Sequence, residues 1–243
     1  MTEKPTGVAQ GGSRSVWLRP ARSGRGPVPG HSVAEIAGAA IAIADAEGLT
    51  AVTMRAVATA IGTAPASLYR YLSTRDELLE LMADQVVGEY SLGEPLSGQP
   101  VTDLLALGRQ ALALYRRHPW LLDIPPTIGV PGPNALAYMD RVLAILSGTD
   151  LSTRAKFELI GMFTGAVRSF AQTEADQRRI GQDTAQWQAA VASYLVQVAA
   201  DGRHPHLAAA LAGPPDVEDP SAEEPLFDRA LTRVLTGLLL PES

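Results

Sequence analysis

The stretch Thr53–Arg75, TMRAVATAIGTAPASLYRYLSTR, constrains this chain more than any other. A short apolar helix, a Gly-centred turn and a second short helix ending in Leu-Tyr-Arg-Tyr follow one another there, the outline of a helix-turn-helix. Thr53 is placed to cap the first helix, from Met54 to about Ala60, with Val57, Ala58 and Ile61 turned inward. Gly62 permits the tight turn. Thr63 is placed to cap the next helix, and Pro65 falls in its first turn, where a missing N–H costs little. Leu68 and Leu72 anchor that helix to a core. Thr74-Arg75-Asp76-Glu77 then reads as a capping box opening a further helix.

The second helix carries residues suited to a DNA surface. A major groove about 12 Å wide admits one helix, and a helix of roughly eight residues is about 12 Å long. The small side chains of Ala64, Ala66 and Ser67 allow close approach, and a helix N-terminus favours a phosphate. Arg70 suits a base edge or a phosphate, and Tyr69 and Tyr71 suit phosphates. Arg55, one helix earlier, is within reach of the same groove. The competing reading makes Leu68 and both tyrosines plain core residues.

A net charge of −6 sits awkwardly with DNA until its distribution is read. Residues 1–31 carry Lys4, Arg14, Arg19, Arg22 and Arg25 against Glu3, or 5 − 1 = +4, so residues 32–243 sum to −6 − 4 = −10. Positive charge is polarised onto the N-terminal segment, and local basic groups govern phosphate contact. That segment is rich in Gly, Ser, Pro and Arg without periodicity, and reads as a basic flexible arm. Arg19, Arg22 and Arg25 are spaced to track a minor groove.

Hydrophobic residues make up 46% of the 243 and charged residues 19%, enough apolar surface for most of the chain to fold. No cysteine is present, which removes disulfides and Cys-based metal sites. No apolar run approaches the roughly 18 residues of a membrane span, and the first thirty lack a secretory apolar core. A soluble, cytoplasmic chain without membrane association is the expectation.

Helical periodicity recurs throughout, and no segment sustains an alternation of period two, so the expected fold is all-α. Ser32 caps a first helix whose Val33, Ile36, Ala37, Ala40, Ile41 and Ala44 share one face, ending at Gly48. The helix opened by Thr74 runs to about Tyr90 on Leu78, Leu79, Leu81, Met82, Val86 and Val87. SLGEPLSGQP then breaks the pattern. Further helices are expected over 101–118, 134–146, 152–178, 183–200, 206–212 and 226–240, with an acidic Pro-rich loop at 213–225. The division expected is an arm at 1–31, a helix-turn-helix domain at 32–78 and a helical ligand-binding and dimerisation domain at 79–243.

With these residues laid out, AAIAIADAEGLTAVTMRAVATAIGTAPASLYRYLSTRDELLELM resembles the N-terminal domain of TetR-family transcriptional regulators. The resemblance rests on Gly48, Thr53 with Arg55, Gly62-Thr63, Leu68-Tyr69-Arg70-Tyr71 and Arg75; Thr63 stands where Val is usual, and Leu72 where Phe is common. A looser resemblance to the tetracycline-repressor branch runs through RRHPWLLDIP, GPNALAYMDRVLAIL and the helix after Ser152. The resemblance implies that Thr53, Ser67, Tyr69, Tyr71 and Arg75 hold phosphates while Arg55, Pro65, Ala66 and Arg70 meet base edges.

It further implies a homodimer on a near-palindromic operator, with recognition helices about 34–36 Å apart. The expected dimer surface is the helix after Ser152, through Phe157, Ile160, Gly161 and Ala166, together with Leu231, Val234, Leu235 and Leu238. A small-molecule effector is expected among Trp120, Met139, Met162, Phe163 and Phe170, with Arg109, Arg168 and Gln172 as polar anchors. His118 and His204-Pro205-His206 lack partners at helical spacing, so neither metal nor cofactor is expected. Two alternatives remain: an α-helical receptor or enzyme that no longer binds DNA, and an activator on the same fold. Against the enzyme, no Ser/His/Asp or paired-carboxylate constellation is placed by motif.

Overall fold

The computed structural model describes residues 15–18, 30–125, 130–180, 184–212 and 225–240. They are all-helical: α1 Val33–Glu47, α2 Met54–Ala60, α3 Pro65–Leu68, α4 Arg75–Val87, α5 Pro100–Arg117, α6 Pro133–Ile145, α7 Thr153–Ile180, α8 Thr184–Ala199, α9 Pro205–Ala212 and α10 Leu226–Leu238. Short 3-10 turns occur at Val16–Leu18, Leu49–Ala51, Pro119–Asp123 and Leu146–Gly148. Among the described residues no helix is long and apolar enough to cross a membrane.

Two compact units emerge: Met1–Glu94 with Arg117–Ala144, and Pro95–Arg116 with Ile145–Ser243. The first therefore takes in all of α4 and nearly all of α6, beyond residue 78.

In the first unit α1 packs on α4 and α2, and α2 on α3. Ser32 opens α1 with a full capping box, its hydroxyl accepting the Glu35 amide and the Glu35 carboxylate accepting that of Ser32. Ile36, Ala37, Ala40, Ile41 and Ala44 are buried, while Val33 stays exposed at the open end. Gly48 ends the helix at φ 85°, where a β-carbon would be strained. Ile36, Val52, Val57, Leu68, Leu72, Leu78 and Met82 form the fully buried centre. Removing one of these large side chains costs about 2–5 kcal/mol.

Polar groups pin the rim of this unit. The buried His118 ring lies 2.7 Å from Asp45 Oδ1 through Nδ1 and 3.2 Å from Glu89 Oε1 through Nε2. The Trp120 indole donates to the same Asp45 oxygen at 2.7 Å. The end of α1, the residues after α4 and the turn after α5 are thereby tied together.

In the second unit α7 packs on α10 and α8 on α9. A β-carbon on Gly108 would stand 2.5 Å from Leu231 Cδ2 and 3.4 Å from Phe163, so glycine lets α5 approach both helices. Arg109 closes α5 on α10 with paired hydrogen bonds to Asp228 at 3.0 and 2.9 Å. Arg116 does the same to Glu174 on α7, at 2.8 and 2.6 Å.

The residues expected on the dimer surface differ in how far one chain buries them. Leu231 and Leu235 are fully buried within one chain, and Ile160 nearly so. α10 turns its Phe227-Leu231-Leu235 face inward, so these residues serve the core of the single chain. Phe157 (48% exposed), Val234 (39%) and Gly161 remain at the surface, with Leu238 half-buried.

Candidate DNA interface

The Thr53 hydroxyl caps α2 by accepting the Ala56 amide at 3.1 Å. This fixes Arg55 in the first turn, exposed. Gly62 takes φ 69° in the turn, a conformation glycine adopts at no steric cost, and the Thr63 amide donates back to the Ala58 carbonyl at 2.8 Å.

α3 differs from its sequence reading. Ala64, not Thr63, occupies the N-cap, with no side-chain cap, and the helix stops at Leu68. Beyond it the Arg70 amide donates to Ser67 O at 3.3 Å and the Tyr71 amide to Leu68 O at 2.8 Å. These are three-residue spacings, the tightened winding common at a helix end. Tyr69, Arg70 and Tyr71 therefore stand on a turn continuing α3 rather than on an eight-residue helix.

Leu68 and Leu72 are fully buried, so the chain between them is clamped to the core. Tyr69 is 56% exposed and does not belong to that core. Pro65, Ala66 and Arg70 are also exposed, and Ser67 and Tyr71 half-buried. Small residues with a tyrosine and an arginine thus line one outward edge of α2–α3 and its turn.

The Thr74 hydroxyl accepts the Glu77 amide at 3.2 Å, but the Glu77 carboxylate accepts from Ser73 at 2.6 Å rather than from Thr74. Arg75 has an anchoring task that its sequence position did not disclose. Nε donates to Val52 O at 3.3 Å and Nη2 to Leu49 O at 2.9 Å, stapling the start of α4 to the α1–α2 connection.

The minor-groove candidates Arg19, Arg22 and Arg25 lie outside the described residues. The expected ligand-lining residues fall in both units: Trp120 and Met139 in the first, Met162, Phe163 and Phe170 in the second. Trp120 is buried on Asp45, Phe163 is fully buried, and Phe170 meets Phe227 edge-on with centroids 5.3 Å apart. Met162 faces outward, 57% exposed, because α7 turns Leu159, Phe163 and Val167 to the core instead. Of the polar anchors, Arg109 is committed to Asp228, and Gln172 donates to Asp176 at 2.9 Å.

Sequence reasoning missed two buried carboxylates, Glu80 and Asp84, one turn apart on α4. Asp84 accepts the Ala135 amide at 2.9 Å and that of Asn134 at 3.3 Å, capping the start of α6. Acidic residues four apart among the apolar positions of the helix were the available signal.

Comparison with known proteins gives these features a family. The profile described as "Bacterial regulatory proteins, tetR family" matches residues 36–82. The profile "Tetracyclin repressor-like, C-terminal domain" matches residues 93–240. The chain is 36% identical over 231 residues to the HTH-type transcriptional repressor DrrR1 of Streptomyces coeruleorubidus, covering 92% of this chain and 83% of that one. It is 30% identical over 241 residues to an HTH-type transcriptional regulator of Saccharopolyspora erythraea, covering 98% and 97%. Among solved structures, the TetR family protein ActR of Streptomyces coelicolor in complex with actinorhodin superposes with a TM-score of 0.67 at 27% identity, over 86% of this chain and 97% of that one. ActR in complex with (S)-DNPA gives 0.66 at 29%, over 87% and 98%. With its helix-turn-helix and its helical C-terminal region both matched, the chain belongs to the TetR family of DNA-binding transcriptional regulators, a family of regulators and not of enzymes.

Proposed function

We propose that this protein is a homodimeric repressor that binds a near-palindromic operator and is released from it by a small molecule. The observation that carries the reading is the outward edge of α2–α3, where Tyr69 and Arg70 stand exposed between two fully buried leucines. A side chain held by a rigid frame loses little further freedom on binding. Thr53, Ser67, Tyr69 and Tyr71 hold phosphates, and Arg55, Pro65, Ala66 and Arg70 face base edges. Arg75 joins the phosphate set with the N–H groups of its fork not spent on Leu49 and Val52. Arg19, Arg22 and Arg25 reach the adjacent minor groove.

Dimerisation uses the outer stripe of α7, Phe157, Gly161 and Gly165, with Val234 and Leu238 of α10. The open space at Gly161 and Gly165 supports it, since nothing lies within 4 Å of a β-carbon built at either. The effector is sensed by residues 79–243, and the known complexes of ActR with actinorhodin and (S)-DNPA support a small-molecule effector. Release requires that the effector bind the DNA-incompetent arrangement more tightly than the competent one. The protein acts in the cytoplasm, where its operator lies.

An electrophoretic mobility shift with promoter DNA tests the reading. Arg70→Ala weakens operator binding by about 1–3 kcal/mol and relaxes specificity at one base pair, as expected when a bidentate hydrogen-bond pair to a base is removed. Unchanged affinity and selectivity would remove Arg70 from the base-reading set.

A further inference from the structure

Within the N-terminal segment, Ser15–Leu18 docks on α4. The buried Ser15 hydroxyl donates to Glu80 Oε2 at 2.6 Å, and the Val16 amide donates to the same oxygen at 3.2 Å. The Trp17 amide donates to Ser15 Oγ at 3.3 Å, and the Leu18 amide closes the turn on Ser15 O at 3.2 Å. The Trp17 ring lies against Gly132, just before α6: a β-carbon there would stand 2.6 Å from Trp17 Cζ2 and would overlap the Asp84 carboxylate. Segment, α4 and the approach to α6 converge on one point. A buried carboxylate is costly without hydrogen-bond partners, and Ser15 and Val16 supply them to Glu80. Val16-Trp17-Leu18 is also apolar in a stretch otherwise dominated by Gly, Ser, Pro and Arg.

We infer that Ser15–Leu18 is an intramolecular clasp, with Glu80 as its anchor and Gly132 as the seat of Trp17, that sets where the basic N-terminal segment stands during DNA binding. The inference rests on the reading that Arg19, Arg22 and Arg25 contact DNA. The clasp precedes these residues at Leu18 and α1 follows them, opening at its N-cap Ser32, and clasp and α1 belong to the same unit. Closing a segment at both ends raises its effective concentration at a nearby site. Glu80 is thus a positioning residue for DNA binding. Because Asp84, one turn along α4, caps α6, a shift of α6 against α4 also disturbs the seat of Trp17.

The test uses the full chain, a variant lacking residues 1–14, a variant lacking residues 1–18, and the double variant Ser15→Ala/Trp17→Ala. Each is titrated by fluorescence anisotropy, at several salt concentrations, against a duplex recovered from a random pool by the full chain. Removal of residues 1–14 leaves binding as it was. Removal of residues 1–18, and the double variant, each weaken it by about three- to tenfold. Both also flatten the log–log salt dependence by about 0.9 for each phosphate no longer neutralised. A general folding defect lowers the active fraction without changing that slope, so the slope separates positioning from stability. Equal affinity and slope for the two truncations would overturn the clasp. The triple variant Arg19→Ala/Arg22→Ala/Arg25→Ala tests the underlying reading. If it binds normally, the segment takes no part in DNA binding and the role of the clasp falls with it. If it weakens binding while removal of residues 1–18 does not, the clasp alone is overturned.

Discussion

Arg75 donates through Nη2 to the carbonyl oxygen of Leu49 at 2.9 Å, joining the first residue of α4 to the turn that precedes α2. With the second bond, from Nε to Val52 O, the guanidinium holds two carbonyls of the α1–α2 connection, of which Leu49 O also accepts the Val52 amide at 3.2 Å. Arg75→Ala should lower stability by about 1 kcal/mol, read as a fall in the thermal midpoint. Arg75→Lys should recover only part of it, because an ammonium cannot reproduce the planar fork. Equal midpoints for all three proteins would show the staple to be idle.

Gly132→Ala tests the junction of α4 and α6. Its β-carbon would meet the Asp84 carboxylate and the Trp17 ring, one buried and hydrogen-bonded, the other packed. Overpacking of this kind costs about 1–3 kcal/mol. Gly93→Ala, in a turn where the space is open, is the control and should melt like the parent. If both substitutions are silent in calorimetry, the junction is looser than described.

Val234→Glu and Phe157→Glu each place a charge on the proposed dimer stripe without touching the core of the single chain, since both side chains are exposed. Either should convert a dimer to a monomer in sedimentation equilibrium and lower operator affinity at least about tenfold, because binding is no longer bivalent. A dimer that persists in both variants would move the interface elsewhere.

How much of this was legible in the sequence depended on whether the deciding interaction was local. Caps were legible: Ser32, Thr53 and Thr74 each hold an amide three residues on, as their side chains and spacing implied. Glycines at φ 85° and 69° were legible as turn points for the same reason. The length of α3 was not, because its tightened end is decided by the burial of both Leu68 and Leu72 in the surrounding core. Leu231 and Leu235 matched a dimer stripe as well as a core stripe in periodicity, and their burial in the single chain, for Leu231 under α5 at Gly108, depends on a distant helix. Glu80, Asp84 and Ser15 escaped notice because their partners lie 50 or more residues away.

The Glu174 carboxyl is held below the usual carboxylate range, chiefly by the hydrogen bond from Arg116. Folding therefore favours its ionised form. The stability this supplies is complete above the unfolded pKa and disappears as pH falls through the lower, folded one. The pair is partly exposed, so the gain is small, about 0.5 kcal/mol. Glu174→Gln should unfold more easily than the parent at neutral pH, and the two urea midpoints should converge in acid. A difference that persists or widens in acid would contradict the pairing.

Operator recognition by the α2–α3 edge is put to the sharpest test by selecting bound sequences from a random DNA pool with the full chain and footprinting the recovered site. The expected product is a near-palindromic sequence whose two protected half-sites lie about 34–36 Å apart, centre to centre. Arg70→Ala, carried through the same selection, should lose enrichment at one position in each half. Recovery of no preferred sequence, with Arg70→Ala binding the pool as tightly as the parent, would contradict recognition by this edge.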